Sequence, residues 1–171
     1  MNDLLLLASL LDGPKHGYAL KKQAGVITGK PEMHNNLVYP LLKRFVSKGW
    51  LNRHQAEGER GQTREIYSLT SKGKQMLLQR LGEFTEKDAA STDEFCLRAG
   101  LFGALDGEKR REIVEARSKW LDRRAERLGA IARQMRLEGW AKETVRHLRN
   151  QVEAERKWLK RLKRIARQSA K

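Results

Sequence analysis

An apolar run, Leu4 to Leu11, opens the chain and stops at Asp12-Gly13-Pro14. Glycine takes a left-handed helix end and proline cannot continue a helix, so the run predicts a short core helix. His16 to Ala24 predicts a second helix closing near Gly25, with Ala19 and Leu20 inward and Lys21 and Lys22 outward. Thr28 to Pro31 reads as a turn. A third helix starts near Asn35 or Asn36, because Asn caps well and Pro40 is tolerated only close to a helix start. At about 100° per residue, Leu37, Val38, Leu41, Leu42 and Phe45 gather on one side. Asn35, Asn36, Tyr39, Pro40, Lys43 and Ser47 gather on the other, so the first set predicts core and the second is available to a partner. Gly49 ends this helix, and Trp50–Gln55 and Arg64–Leu69 alternate as strands do, with Tyr67 and Leu69 on one face. Glu57-Gly58-Glu59-Arg60-Gly61 forms the tip between them, and Thr70 or Ser71 caps a fourth helix through Met76, Leu77 and Leu81.

Gly82 to Asp93 is polar apart from Phe84, which places a domain boundary there and divides the chain into 1–82 and 83–171. Ser91-Thr92-Asp93-Glu94 has capping-box spacing and introduces a helix from Phe95 to Leu105, broken by Asp106-Gly107. Two long helices follow, Glu108–Leu137 and Trp140–Gln168, separated by Glu138-Gly139. Val114, Ser118, Leu121, Ala125, Leu128, Ala132 and Met135 make a seam of three- and four-residue steps on the first. Val145, Leu148, Val152, Glu155, Leu159, Leu162 and Ala166 make one on the second. Such seams favour packing with a second chain, with Leu121, Leu128, Val145, Leu148, Val152, Leu159 and Leu162 as the dimer contacts. The alternative is an intramolecular helical hairpin. Glu155 interrupts its seam and suits a basic neighbour such as Arg156 of a second copy.

The architecture expected is therefore mainly α, a winged helix-turn-helix followed by a long-helix dimerisation domain. Composition narrows the partner. Of 171 residues 36 are Lys or Arg and 21 Asp or Glu, a formal charge of +15 that favours polyanions such as nucleic acid. The excess is shared, +7 over residues 1–82 and +8 over residues 83–171. From Arg156 to Lys171 there are eight basic residues and no acidic one. A single cysteine, Cys96, excludes an internal disulfide or a Cys-rich zinc site and suits a reducing cytoplasm. Lying among Phe95, Leu97 and Leu101, it reads as a small buried hydrophobe. The leading apolar run is preceded by Asp3 rather than a cation and falls far short of the roughly 20 residues of a membrane span. His16, His34, His54 and His147 lack metal-ligand spacing, and there is no phosphate-binding glycine loop or nucleophile elbow, so neither a cofactor nor catalysis is expected.

His16-Gly17-Tyr18, Tyr39-Pro40-x-Leu42 closed by Gly49, and Arg64-x-x-Tyr67-x-Leu69-Thr70-x-x-Gly73 occur in the order and separation that resemble the PadR-type transcriptional regulators. Residues 92–168, including Glu155-x-x-Trp158-Leu159, resemble the longer form with a virulence-activator type of helical domain. The resemblance implies a dimeric, usually repressing, DNA-binding protein, modulated in some members by a small ligand. It implies DNA contacts at Tyr18, Tyr39 and Lys43, with Arg60 or Arg64 of the wing reaching a neighbouring groove or phosphate. The residues themselves suggest Asn35 and Asn36 as base readers, since Asn can engage adenine through two hydrogen bonds. Lys15, Lys22, Lys43 and Arg64 suit phosphates, which set register without reading sequence. Against these stand plainer roles: one Asn as a helix cap, and Tyr39 packing its ring. Two copies would bind a pseudo-palindrome with half-sites about one helical turn apart. The competing function is sequence-independent RNA or nucleoid binding through the basic tail. Trp120, Trp140 and Trp158 are either a slot for a small aromatic effector or ordinary packing anchors.

Overall fold

The computed structural model describes residues 1–24, 26, 29, 31–57 and 63–168, and the side chains of 57, 167 and 168 are outside it. Among the described residues there are eight α-helices and three strands. They are α1 (Asn2–Ala8), β1 (Lys15–His16), α2 (Gly17–Gln23), α3 (Asn35–Ser47), β2 (Leu51–Glu57), β3 (Thr63–Leu69), α4 (Ser71–Gly82), α5 (Glu86–Ala90), α6 (Thr92–Gly100), α7 (Gly107–Gln134) and α8 (Gly139–Gln168). A 3₁₀ turn at Phe102–Ala104 follows α6. The fold is mainly α with a small winged-helix sheet. Its compact units are 1–84 with 96–105, and 85–95 with 106–171. No described helix is long and apolar enough to cross a membrane.

In the first unit α1 is buried on every side, Leu6 and Leu7 completely, as expected of a helix without a polar face. It begins earlier than the apolar run suggests and stops at Ala8. Leu10 and Leu11 continue only as tight three-residue turns onto Leu7 and Ala8. Asp3 and Arg80 pair across α1 and α4. Burial acts to raise the Asp3 pKa, but the hydrogen bond and charge of Arg80 outweigh it and hold the carboxyl below its ordinary value.

His16 caps α2 rather than lying within it. It belongs to β1, a strand too short to read from sequence, which pairs Lys15 with Tyr67 and His16 with Ile66. The sheet order is β1-β3-β2, and β2 and β3 form an antiparallel hairpin running from Leu51↔Leu69 to Glu57↔Thr63. Trp50 lies just before β2, buried against Phe45 with ring centroids 5.4 Å apart. The hairpin is anchored to α4 by Thr70, whose hydroxyl accepts from the Gly73 amide at 2.9 Å and lies 2.8 Å from the Gly49 carbonyl. At Gly73 a Cβ would fall 2.1 Å from the Trp50 carbonyl oxygen, so only glycine admits this approach.

In the second unit, Thr85 and Asp88 form a capping box that starts α5 within the polar stretch where sequence shows no element. Ser91 accepts from the Glu94 amide at 3.3 Å, and α6 begins at Thr92, earlier than Phe95, and ends at Gly100 rather than Leu105. Asp106 does not break that helix, which has already ended at Gly100; its side chain caps α7 through the Lys109 amide at 2.7 Å. Cys96 is half-buried, less covered than expected, between the fully buried Phe95 and Leu97.

The α7 and α8 seams meet each other. Leu121, Leu128, Val152 and Leu159 are 1%, 7%, 3% and 2% exposed in the single chain, which corrects the premise that they need a second copy for burial. Val145, Leu148 and Leu162 remain half-buried, while Met135 lies past the end of α7 and is exposed. Glu155 also turns inward. It takes both Nε and Nη2 of Arg117 at 2.7 Å each, so its partner is not Arg156 of another chain. Arg117 is itself 1% exposed and also donates to the Ala89 carbonyl at 2.6 Å and the Thr92 hydroxyl at 2.9 Å. Arg156 pairs instead with Asp122 and Glu153, at 2.5 and 2.8 Å.

Candidate nucleic-acid interface

Helix α3 is amphipathic, and the core takes Val38, Leu41, Leu42 and Phe45. Leu37, expected with them, is 37% exposed. It sits at the margin of that arc, about 90° from its centre at about 100° per residue. Neither Asn caps the helix: His34 occupies the cap position without a side-chain hydrogen bond, and Asn35 and Asn36 are the first two helical residues, both exposed. The capping role is thereby removed as their explanation. Pro40 lies further into the helix than a start position. Having no N–H, it leaves the Asn36 carbonyl without its helical donor. The first turn therefore presents two amide side chains and an open backbone acceptor.

Tyr39 (46% exposed) and Lys43 continue the same outward face. Tyr39 also shields Gly17, where a Cβ would lie 3.0 Å from its ring, so α2 and α3 approach closely at this point. His16 accepts the Ala19 amide on Nδ1 at 3.1 Å, capping α2 and placing the ring proton on Nε2. Its ring stacks beside that of Tyr18, 6.4 Å away at 13°. Tyr18 is 55% exposed and carries Lys22 over its face, 4.7 Å from the centroid. The Tyr18 hydroxyl raises the Lys22 pKa, so this ammonium stays charged.

A cleft of about 590 Å³ joins these pieces, lined by His16, Tyr18, Tyr39, Arg64, Glu65 and Tyr67 together with Gly17. Its wall is fixed by Glu65, which accepts from Arg53 at 2.9 Å and from the Tyr67 hydroxyl at 2.6 Å. Burial first, and then the hydrogen bond to Glu65, pushes the Tyr67 hydroxyl pKa well up, so it remains a neutral donor. His16, Glu65 and Tyr67 were not candidates from sequence. Only the register of β1 on β3 brings them beside Tyr39.

Among the expected contacts, Tyr18, Lys22, Asn35, Asn36, Tyr39, Lys43 and Arg64 are exposed on this unit, and Tyr18, Tyr39 and Arg64 share the cleft. Lys15 differs: its side chain is 13% exposed and paired with Asp12, so little of its charge is free for a phosphate. Arg60 and the tip around it lie outside the described residues. The three tryptophans are not brought together as an effector slot. Trp158 packs edge-on to Phe95 at 5.3 Å, Trp140 is 90% exposed, and Trp120 stands between Arg117 and Arg124 beside a separate cavity of about 570 Å³. Among the described residues no group of three or more His, Cys, Asp or Glu is placed to hold a metal ion.

Residues 6–79 match the model of the transcriptional regulator PadR-like family. A transcriptional regulator from Thermoplasma acidophilum is 31% identical over 46% of this chain and 74% of its own, with a TM-score of 0.42. A PadR family regulator from Eggerthella lenta is 32% identical over 46% of this chain and 66% of its own, TM-score 0.40. PadR of Bacillus subtilis, solved with operator DNA, is 18% identical over 97% of each chain, TM-score 0.47. No curated protein sequence matches the chain. Residues 6–79 form a domain of the transcriptional regulator PadR-like family.

Proposed function

We propose that the protein is a sequence-specific, cytoplasmic DNA-binding repressor that acts as a homodimer on a pseudo-palindromic operator. The observation that carries the reading is the first turn of α3, where Asn35 and Asn36 are exposed, uncapped and followed outward by Tyr39 and Lys43. A helix N-terminus of this kind fits the major groove, where asparagine reads adenine through two hydrogen bonds. Lys43, Lys22 and Arg64 grip phosphates, and Tyr18 and Tyr39 pack against the backbone between them. Repression follows from occupancy of the operator. The dimer is supported by the half-buried Val145, Leu148 and Leu162 of α8, which the single chain does not fully cover.

Operator binding by single-residue variants tests this division of roles. Asn36→Ala is expected to cost about 1–3 kcal/mol at one operator position and relax the preference there. Lys43→Ala is expected to weaken every duplex equally and reduce the salt slope by about one. A Lys43→Ala protein that changed only the preferred base, or an Asn36→Ala protein with unchanged specificity, contradicts the proposal.

A further inference from the structure

The outer face of α8 carries cations that the α3 site does not use. Arg149, Lys157, Lys160, Arg161 and Arg164 are exposed, and none has an ion-pair or hydrogen-bond partner among the described residues. The two acids in this span are already engaged, Glu153 by Arg156 and Glu155 by Arg117. At about 100° per residue the five cations fall within an arc of about 120°, turned away from Val152 and Leu159. Lys157 and Arg161, and Lys160 and Arg164, stand one turn apart as like charges, a spacing that destabilises an isolated helix. A bound polyanion removes that repulsion.

Two polyanions attract such a helix, an anionic membrane and a nucleic acid. Membrane binding by a basic amphipathic helix requires its apolar side to enter the lipid. Here α7 covers that side, leaving Val152 and Leu159 3% and 2% exposed. What remains outside is charge alone, which suits phosphates lying on a surface. From Arg149 to Arg164 the row extends about 22 Å at about 1.5 Å per residue. That length matches six to seven base pairs at about 3.4 Å each.

We propose that the outer face of α8 is a second nucleic-acid-binding surface, sequence-independent and directed at duplex phosphates. The test uses the full chain and a random-sequence DNA duplex, so it does not depend on base reading by α3. Replacing Lys157, Lys160, Arg161 and Arg164 by Gln is expected to flatten the slope of log affinity against log salt by about three to four. The affinity lost between about 50 and 200 mM salt then shrinks by about 100-fold. A comparison protein with Arg111, Arg127, Arg133 and Arg136 changed to Gln loses the same charge elsewhere, and its slope should stay near the native one. Equal flattening in both proteins overturns the proposal, because net charge alone then explains binding. So does tighter binding to phosphatidylserine vesicles than to DNA at about 150 mM salt.

Discussion

At the residue scale, single atoms decide what the first unit tolerates. Gly73 lies against the Trp50 carbonyl with room for no side chain, so Gly73→Ala must separate α4 from the start of the hairpin. Overpacking of this kind typically costs about 1–3 kcal/mol, and chemical denaturation should show a lower midpoint with an unchanged slope. An unaltered midpoint would mean that α4 and the hairpin shift at no cost. Asp3 supplies a pH test. Its folded pKa lies below the ordinary value of 3.8, so its stabilisation is complete above that pH and is lost as pH falls through the lower folded value. Asp3→Asn should therefore be less stable than the native protein at pH 7, with the gap narrowing below about pH 4. A gap that widened on acidification would reverse the sign argued for the Arg80 pair.

At the scale of elements, α7 and α8 are held by more than their apolar seam. The Arg117 guanidinium reaches Glu155 on α8, Thr92 on α6 and Ala89 on α5, which makes it the common partner of three other helices. Removing the charge of one member leaves the other buried and uncompensated, so Glu155→Gln should cost about 3–5 kcal/mol. The pair Arg117→Met with Glu155→Leu should recover most of that loss. Thermal unfolding in which Glu155→Gln matched the native protein would sink this view. The same glutamate marks where sequence reading stops. Its place in the seam is visible from spacing, but its partner is 38 residues away and depends on how α7 and α8 meet. The amphipathic face of α3, the Thr70 cap and the stop at Gly49 are legible because each is local chemistry. The strand β1 is not, because two residues carry no period and only pairing with β3 defines it. For the same reason Tyr39 and Arg64 can be picked out singly while the cleft that joins them to Tyr67 cannot.

At the scale of the molecule, the charge excess and the family domain point to one class of partner by separate routes. Burial of Leu121 and Val152 within the hairpin shifts the dimer argument onto the residues left partly open, Val145, Leu148 and Leu162. A two-fold arrangement of α3 makes a geometric demand on the DNA: two inverted half-sites on one face of the duplex. Selection of bound duplexes from a random pool measures this directly. An inverted repeat should be enriched, with half-site centres about 10 base pairs apart or a multiple of that and adenine among the preferred bases. Recovery of a single asymmetric element bound by one chain, or no enrichment at all, would contradict it.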